Sequence, residues 1–281
     1  MQNTENMNDS QITLGKKVTY KDQYDPSILF PINREERRHD YTKMYGADVW
    51  TCFEVSYLLQ SGLPQFMVIR IVNPADSINI FESKSLKLYL NSFNNTKFDS
   101  KKQVIDTIKK DLDELTGGNV TVTEMCNFVT PTFTNNSNWL LENQVQCTDQ
   151  EFTYNYDPSL LKVVDEKADE VLVSNLLRSN CEITNQPDWA RIVIMYKGKK
   201  AIDKESLLRY IVSYRKHQEF HEPTCERIYQ DLYKILEPEY LYVQCNYTRR
   251  GGIDINPIRC SKPLQTSDIE LALSITKTLQ Q

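Results

Sequence analysis

The chain has 281 residues, of which 40% are hydrophobic and 25% are charged, and its formal net charge is −5. This composition is typical of a globular protein, and the acidic balance disfavours direct binding of nucleic acid because domains that bind nucleic acids are usually basic. The sequence has no apolar run of the ~18 residues that cross a membrane and no apolar segment of a secretory signal, so we expect a cytoplasmic protein without membrane contact.

In the first half of the chain, two strands are predicted ahead of two helices. The segments WTCFEVSYLL (50–59) and QFMVIRIV (65–72) are rich in aromatic and β-branched residues, which favour strands. One helix is predicted to begin near Ser83. A second, SKKQVIDTIKKDLDEL (100–115), repeats its apolar residues with helical spacing and is expected to end at the glycine pair 117–118.

The second half shows the same order. The segments RIVIMY (191–196) and YLYVQCNYT (240–248) predict strands, and two helices are predicted between them. Asp203 suits the N-cap of the first of these helices, and Pro223 suits the first turn of the second. Two strands, two helices and two strands in each copy favour an antiparallel sheet with its helices on one face, which is an α+β fold.

Direct sequence similarity supports a duplication. ESKSLKLYLNSF (82–93) aligns with DKESLLRYIVSY (203–214), and IKKDL, which ends at residue 112, aligns with IYQDL, which ends at residue 232. We also align DVW (48–50) with DW (188–189), each as the start of an extended segment. Only two copies are visible, which indicates a duplication rather than a solenoid. We place an N-terminal half at residues 1–150 and a C-terminal half at residues 151–281, with the join around residues 145–165.

The segment SNCEITNQPDW (179–189) places Cys181 among loop-forming residues shortly before Asp188. A thiolate is a strong nucleophile when cations or backbone N–H groups stabilise it, and loops on rigid scaffolds commonly carry active sites. The alternatives are an inert buried cysteine and an aspartate that only caps a turn. The first copy has no cysteine before DVW, so any thiol chemistry belongs to the second copy.

Three further segments carry charged residues in patterns that suit a binding site. ESK (82–84) and EFHE (219–222) would become parts of one site if the two copies pack together, and each also suits the solvated start of a helix. TRRGGIDINPIR (248–259) combines arginines with glycines, which suits a phosphate and equally suits a hairpin turn. The sequence has no GxGxxG or Walker-type segment, so Rossmann and P-loop nucleotide folds are disfavoured.

The supply of metal ligands is poor. The chain has seven cysteines, an odd number, without a Cys-x-x-Cys pair, and only three histidines. We predict no disulfide framework, because the expected compartment is reducing. We predict no metal site, because the usual cysteine and histidine ligands are scarce.

Taken together, ESKSLKLYLNSF, SNCEITNQPDW, EFHE and RRGGIDINPIR resemble the NADPH-dependent 7-cyano-7-deazaguanine reductases of the two-domain type. These enzymes are nitrile reductases of queuosine biosynthesis, a tRNA modification pathway. The resemblance extends from about residue 15 to the C-terminus. It implies tandem tunnelling-fold (T-fold) domains, a homodimer, and a deazapurine nitrile as the small-molecule substrate.

The resemblance also implies the chemistry. Cys181 would attack the nitrile carbon to form a covalent thioimide, and Asp188, protonated in the complex, would donate a proton to the nitrile nitrogen. Two molecules of NADPH would then supply the four electrons that convert the thioimide to 7-aminomethyl-7-deazaguanine. His221 would border the substrate and assist proton movement during the hydride steps.

The same resemblance implies two sets of binding residues. A carboxylate can accept hydrogen bonds from the ring N–H and exocyclic amine of the deazaguanine edge, and cations suit the phosphates of NADPH. The implied substrate-binding residues are Phe81, Glu82, Ser83, His221 and Glu222. The implied cofactor-binding residues are Ser83, Lys84, Arg249, Arg250 and Gly251.

Two positions depart from the family pattern. Members commonly have a cysteine two residues after the glutamate of the HE pair, but this chain has Thr224 there and Cys225 one residue later, so the sequence leaves open whether Cys181 and Cys225 form a protective disulfide. Glu182 replaces a residue that is often small or apolar, and we expect it to point away from the site. Two other functions stay open, a cysteine-dependent nitrile or amide hydrolase and a non-catalytic purine- or pterin-binding module.

Overall fold

The computed structural model describes residues 21–38, 43–125, 137–145 and 151–264. Its strands are β1 (Pro31–Asn33), β2 (Tyr45–Leu58), β3 (Pro64–Pro74), β4 (Asn79–Phe81), β5 (Thr121–Glu124), β6 (Val163–Val164), β7 (Ala168–Asn180), β8 (Pro187–Gly198), β9 (Ala201–Ile202), β10 (Tyr240–Tyr247) and β11 (Ile253–Cys260). Its helices are α1 (Ser83–Ser92), α2 (Lys101–Thr116), α3 (Leu141–Gln144), α4 (Lys204–Ser213) and α5 (His221–Leu236). Within these ranges, no helix is both long and apolar enough to cross a membrane.

The longer strands form one antiparallel sheet of seven strands in the order β5-β3-β2-β11-β10-β8-β7. Strand β11 of the second half pairs with β2 of the first half, so the two halves share one continuous sheet. Gly46 in β2 has a φ of 137°, and a Cβ there would lie 2.0 Å from the carbonyl oxygen of Ile258 in β11. Glycine therefore permits the close approach of the two strands that join the halves.

The helices α1, α2, α4 and α5 cover one face of this sheet. Alternate strand residues point to that face and form two apolar cores with the helices. One core surrounds Ile192 of β8 together with Tyr210 and Ile228 of α4 and α5. The other surrounds Trp50 of β2 and Leu86 of α1. The predicted α+β class, an antiparallel sheet with its helices on one face, is confirmed.

The helix ends follow local signals in the sequence. Helix α1 begins at Ser83, as predicted, with Glu82 as its N-cap. Helix α2 ends immediately before Gly117, whose left-handed φ of 60° closes the last turn. Asp203 caps α4 as predicted. These boundaries place Glu82 and Asp203 at equivalent positions of the two copies.

The duplication is visible as two matching clusters in which two tyrosine hydroxyls donate to one aspartate on a helix. The clusters are Tyr24 and Tyr89 with Asp111, at 2.7 and 2.6 Å, and Tyr156 and Tyr210 with Asp231, at 2.7 and 2.6 Å. The aligned helix segments are therefore structurally equivalent. The repeat also extends upstream to two matching 3-10 turns, at Pro26–Ile28 and Pro158–Leu160.

The alignment of DVW with DW is wrong. Trp50 lies inside β2, the first strand of its hairpin, whereas Asp188 and Trp189 open β8, the second strand of its hairpin. The structural counterpart of the Cys181 loop is the turn at residues 59–63, which also has no cysteine. Two matching residues are too few to show whether a segment forms the first or the second strand of a hairpin. On the corrected alignment, too, only the second copy has a cysteine in this loop.

Two other expectations are not tested. The second strand that should follow the helices of the first copy would fall in residues 126–136, which lie outside the described residues. The division at residue 150 stays a prediction.

Candidate active site

A cavity of about 250 Å³ lies between the N-terminus of α1, the N-terminus of α5 and the loop from β7 to β8. These elements come from both halves of a single chain. All of the predicted site residues except Arg249 line the cavity. The predicted residues in its wall are Phe81, Glu82, Ser83, Lys84, Cys181, Asp188, His221, Glu222, Arg250 and Gly251.

Glu82 defines the α1 end of the cavity. Its carboxylate accepts hydrogen bonds from the backbone N–H groups of Lys84 at 2.9 Å and Ser85 at 2.7 Å, so one side chain both caps the helix and lines the cavity. Phe81 packs against Trp50 with ring centroids 4.7 Å apart, which forms an aromatic wall beside that carboxylate. An apolar wall next to a fixed acceptor suits a planar ring that carries N–H donors.

Cys181 lies in the tight loop between β7 and β8. Its backbone N–H donates to the carbonyl of Gln186 at 2.8 Å, and the N–H of Asn185 donates to the carbonyl of Cys181 at 2.9 Å. Asn185 has a φ of 55°, a left-handed conformation that asparagine tolerates better than most residues. The polar residues after Cys181 therefore build a closed loop that holds a free, partly exposed thiol at the cavity wall.

Asp188 is 3% exposed and contacts the side chains of one histidine and one arginine. Nε2 of His221 lies 3.3 Å from one carboxylate oxygen, and Arg250 pairs with the other. Burial alone would raise the pKa of Asp188, but His221 and Arg250 together lower it below its ordinary value. Asp188 is therefore ionised in this arrangement. The protonated Asp188 that the resemblance implies for the complex must receive its proton from another group.

The imidazole of His221 is held in place by stacking. It lies on the ring of Tyr247 with centroids 3.7 Å apart and an interplanar angle of 10°. Nε2 faces Asp188, whereas Nδ1 is buried and has no hydrogen-bond partner among the described residues. A histidine fixed in this way can move a proton to or from Asp188.

Glu222 is buried at the N-terminus of α5. It is 3% exposed, and its Oε1 has no hydrogen-bond partner in the described part of the chain. Burial and the neighbouring carboxylate of Asp48 raise the pKa of Glu222 to about 8, although Arg34 and Arg259 oppose the shift. At neutral pH this group is mostly a neutral acid, and N–H donors of a ligand would favour its carboxylate form.

A buried network of charges lies behind the α5 end of the cavity. The guanidinium of Arg259 is fully buried and lies 2.8 Å from the carboxylates of both Asp48 and Glu226. Arg34 pairs with Asp48, and Arg38 binds Glu226 at 2.9 Å. Burial would raise the pKa of Glu226, but these three arginines lower it to about 2. The network joins residues of both halves of the chain directly behind the cavity.

Cations and the N-terminus of α1 meet at one end of the cavity. Lys84, Lys87 and Arg250 line it, and the backbone turns at Gly251 and Gly252 with φ of 59° and 78°. A Cβ at Gly251 would lie 3.1 Å from the side chain of Lys87, so glycine lets this turn lie against the lysine. Cations and an accessible turn backbone fit the phosphates of a dinucleotide such as NADPH.

Two other residues of interest lie apart from the cavity. The guanidinium of Arg249 lies over the ring of Phe53, 3.5 Å from its centroid, and Arg249 does not line the cavity. Cys225 is fully buried with Sγ 3.5 Å from the carbonyl oxygen of Pro257, and both Cys225 and Cys181 are free thiols. The residues His39, Cys126 and Cys147 lie outside the described ranges.

Sequence reasoning missed the aromatic partner Trp50, the cavity residue Lys87 and the whole buried charge network. The charged segment NREERR (33–38) contains two arginines of the network and could have indicated them. Nothing in the sequence, however, pairs this run with acidic residues far along the chain. These contacts depend on how the two halves of the chain pack together.

Fold and site together define a duplicated antiparallel α+β protein whose cavity combines a free thiol, buried carboxyl groups, an imidazole and several cations. Two family models match the chain. The model described as nitrile reductase, 7-cyano-7-deazaguanine-reductase N-term, matches residues 20–124, and the model described as QueF-like protein matches residues 187–266. Together they span more than half of the sequence, and the chain belongs to the QueF family, with a two-domain organisation.

A solved structure, the apo form of the archaeosine synthase QueF-Like, matches 37% of this chain and 96% of that chain, with 17% identity and a TM-score of 0.30. Family membership confirms the resemblance indicated by the motifs. It supports a nitrile reductase or QueF-like function in the queuosine pathway, and a redox enzyme that acts on a small molecule. The hairpin, two helices and hairpin of the second half agree with the T-fold unit expected of the family.

Proposed function

We propose that this protein reduces 7-cyano-7-deazaguanine to 7-aminomethyl-7-deazaguanine with two molecules of NADPH. The observation that carries the proposal is the convergence of Cys181, Asp188 and Glu222 on one cavity, with the thiol accessible at its wall. Family membership supports the reaction class. We further propose a cytoplasmic homodimer that makes no direct contact with nucleic acid, in agreement with the acidic net charge of −5.

In the proposed first step, Sγ of Cys181 attacks the nitrile carbon. An S–C bond forms as one π bond of the nitrile breaks, and the thiol proton passes to the carboxylate of Asp188 and then to the nitrile nitrogen. The product is a covalent thioimide with no net change in charge. The lowered pKa of Asp188 supports this order, because a carboxylate can accept the thiol proton before it acts as the acid.

NADPH would supply the two hydrides that, together with two protons, convert the thioimide to the primary amine and release the thiol. His221 lies 3.3 Å from Asp188 and would relay protons through it. The stacked position of His221 on Tyr247 supports this role, because the ring keeps one nitrogen directed at the carboxylate.

Glu82 and Glu222 would hold the edge of the deazaguanine that carries the N–H donors. Glu82 is fixed by two backbone hydrogen bonds, and Oε1 of Glu222 lacks a partner among the described residues. A buried acceptor left unpaired costs about 1 to 3 kcal/mol, and a donor from the substrate would remove this cost. Since the pKa of Glu222 is about 8, binding at neutral pH would release a proton.

The decisive experiment mixes the purified protein with 7-cyano-7-deazaguanine and NADPH and follows cofactor and product together. Oxidation of two NADPH for each nitrile consumed, with the amine as product, is the expected result. Release of ammonia without NADPH would identify a hydrolase, and binding of the nitrile without any product would identify a binding module. Either of these outcomes would replace the proposal.

Incubation with the nitrile but without NADPH isolates the first step. Intact-protein mass spectrometry should show an adduct of the substrate mass on the wild type and none on Cys181→Ala. Asp188→Asn should form the adduct about 100-fold more slowly or worse, since general acid–base groups contribute on this scale. Cys260→Ala, which changes a buried cysteine that does not line the cavity, is the matched control and should react normally. An adduct on Cys181→Ala would refute the assignment of the nucleophile.

A further inference from the structure

Glu182 follows Cys181 in the loop from β7 to β8 and takes no part in the chemistry proposed above. Glu182 does not line the cavity, and its carboxylate pairs with the guanidinium of Arg37 from the first half of the chain. Only 25% of the Glu182 side chain and 16% of the Arg37 side chain are exposed. Partial burial protects the pair from screening by salt, so its effect on the loop is larger than that of an exposed surface pair.

Arg37 also contacts the other catalytic element. Its guanidinium lies over the ring of Phe220, 5.1 Å from the ring centroid. Phe220 lines the cavity and immediately precedes His221, the first residue of α5. One arginine side chain therefore contacts both the loop that carries the thiol and the helix end that carries the imidazole.

The segment at residues 34–38, which we name the clasp, is anchored on both sides of this arginine. Arg34 is 4% exposed and pairs with Asp48 in the buried network. Arg38 binds both oxygens of Glu226, at 2.9 and 3.1 Å. The residues between these anchors form a 3-10 turn. The clasp is thus tied to the network behind the cavity and presents its remaining arginine to the catalytic loop.

We propose that Arg37 is a positioning residue that holds the Cys181 loop against the N-terminus of α5 and neutralises the charge of Glu182 beside the nucleophile. The inference rests on the proposed role of Cys181. An unpaired carboxylate one residue from a thiol disfavours the thiolate by like-charge repulsion, and Arg37 removes this effect. Because the pair spans both halves of the chain, it makes the position of the nucleophile depend on their contact.

The test measures the rate at which iodoacetamide alkylates Cys181 in the full-length protein, with modification at this residue quantified by peptide mass spectrometry. This readout needs neither substrate nor cofactor. For Arg37→Met we expect the rate at neutral pH to fall about 3- to 10-fold, the effect of one partly buried ion pair. We also expect the pH of the half-maximal rate to move upward, because the Glu182 carboxylate is left uncompensated.

Glu182→Gln separates charge from position. This variant has no carboxylate beside the thiol, so the pH of the half-maximal rate should not move upward. The double variant Arg37→Met with Glu182→Gln should react like Glu182→Gln alone, since the guanidinium has then already lost its partner. The exchanged pair, Arg37→Glu with Glu182→Arg, should recover part of the rate. The matched control Lys197→Met, in an exposed pair with Asp169, should match the wild type.

Two outcomes would overturn the proposal. One is a wild-type alkylation rate and pH dependence in Arg37→Met. The other is a loss of rate that simply follows a loss of melting temperature across all variants, which would indicate a general structural effect. If instead the alkylation results are as expected but the wild type forms no adduct with the nitrile, the proposed function fails while the positioning role of Arg37 stands.

Discussion

Replacement of Glu222 by glutamine tests the electrostatics of the cavity most directly. Burial and Asp48 raise the pKa of Glu222 from its ordinary value of 4.5 to about 8. A carboxyl group whose pKa is higher in the folded protein than in the unfolded chain stabilises the fold fully below pH 4.5. This contribution is lost as the pH rises from 4.5 to 8, because the group ionises in the unfolded chain there while it stays a neutral acid in the buried site of the folded protein. Glutamine has the shape of the neutral acid and no charge to gain.

The magnitude follows from the shift in pKa. Each pKa unit corresponds to about 1.4 kcal/mol, so the contribution of Glu222 changes by roughly 3 kcal/mol between about pH 6 and about pH 9. For a chain of this size, that change corresponds to roughly 6 to 12 °C in melting temperature. The wild type should lose this much more stability than Glu222→Gln over the same interval.

Thermal unfolding followed by circular dichroism, in small pH steps, is the appropriate assay. Other groups that titrate in this interval are common to both proteins, so the difference between the two curves isolates Glu222. Glu114→Gln, on an exposed helix surface, is the matched control and should follow the wild type. Parallel curves for the wild type and Glu222→Gln would show that Glu222 is not a buried neutral acid.

Other perturbations address the network, the strand pairing and the proton donor. Glu226→Ala leaves buried arginines without their carboxylate and should lower the free energy of unfolding in urea by about 3 to 5 kcal/mol; a loss below about 1 kcal/mol would contradict the network. Gly46→Ala should prevent folding, since its Cβ would lie 2.0 Å from a carbonyl oxygen. Gly62→Ala meets no atom within 4 Å, so only its positive φ of 87° is unfavourable, and it should fold with a free energy of unfolding lower by about 1 to 2 kcal/mol. Arg250→Gln removes a cation that lowers the pKa of Asp188, so the pH midpoint of adduct formation should move upward. A downward movement would refute the role of Arg250 in lowering this pKa.

The order and ends of the helices were predictable because the signals for them are local. Helix periodicity, a capping carboxylate before Ser83, a capping aspartate at residue 203 and the left-handed Gly117 each act within one turn of chain. The duplication was predictable in the helices, where twelve-residue segments align, and was misread at the strands, where a two-residue match placed Trp50 and Trp189 on equivalent strands. All of the residues that the motifs assigned to a site line the cavity except Arg249, whereas the motifs missed the lining residues Trp50 and Lys87.

The sequence by itself thus determined the four long helices, the α+β class and the residue types available for thiol chemistry. Only the tertiary structure decided how these groups act on one another. Arg37 and Glu182 are 145 positions apart, and they meet because β11 of the second half pairs with β2 of the first. The pKa values of Asp188 and Glu222 diverge for the same reason, since burial and neighbouring charges depend on which distant segments pack together, and no local pattern in a sequence carries that information.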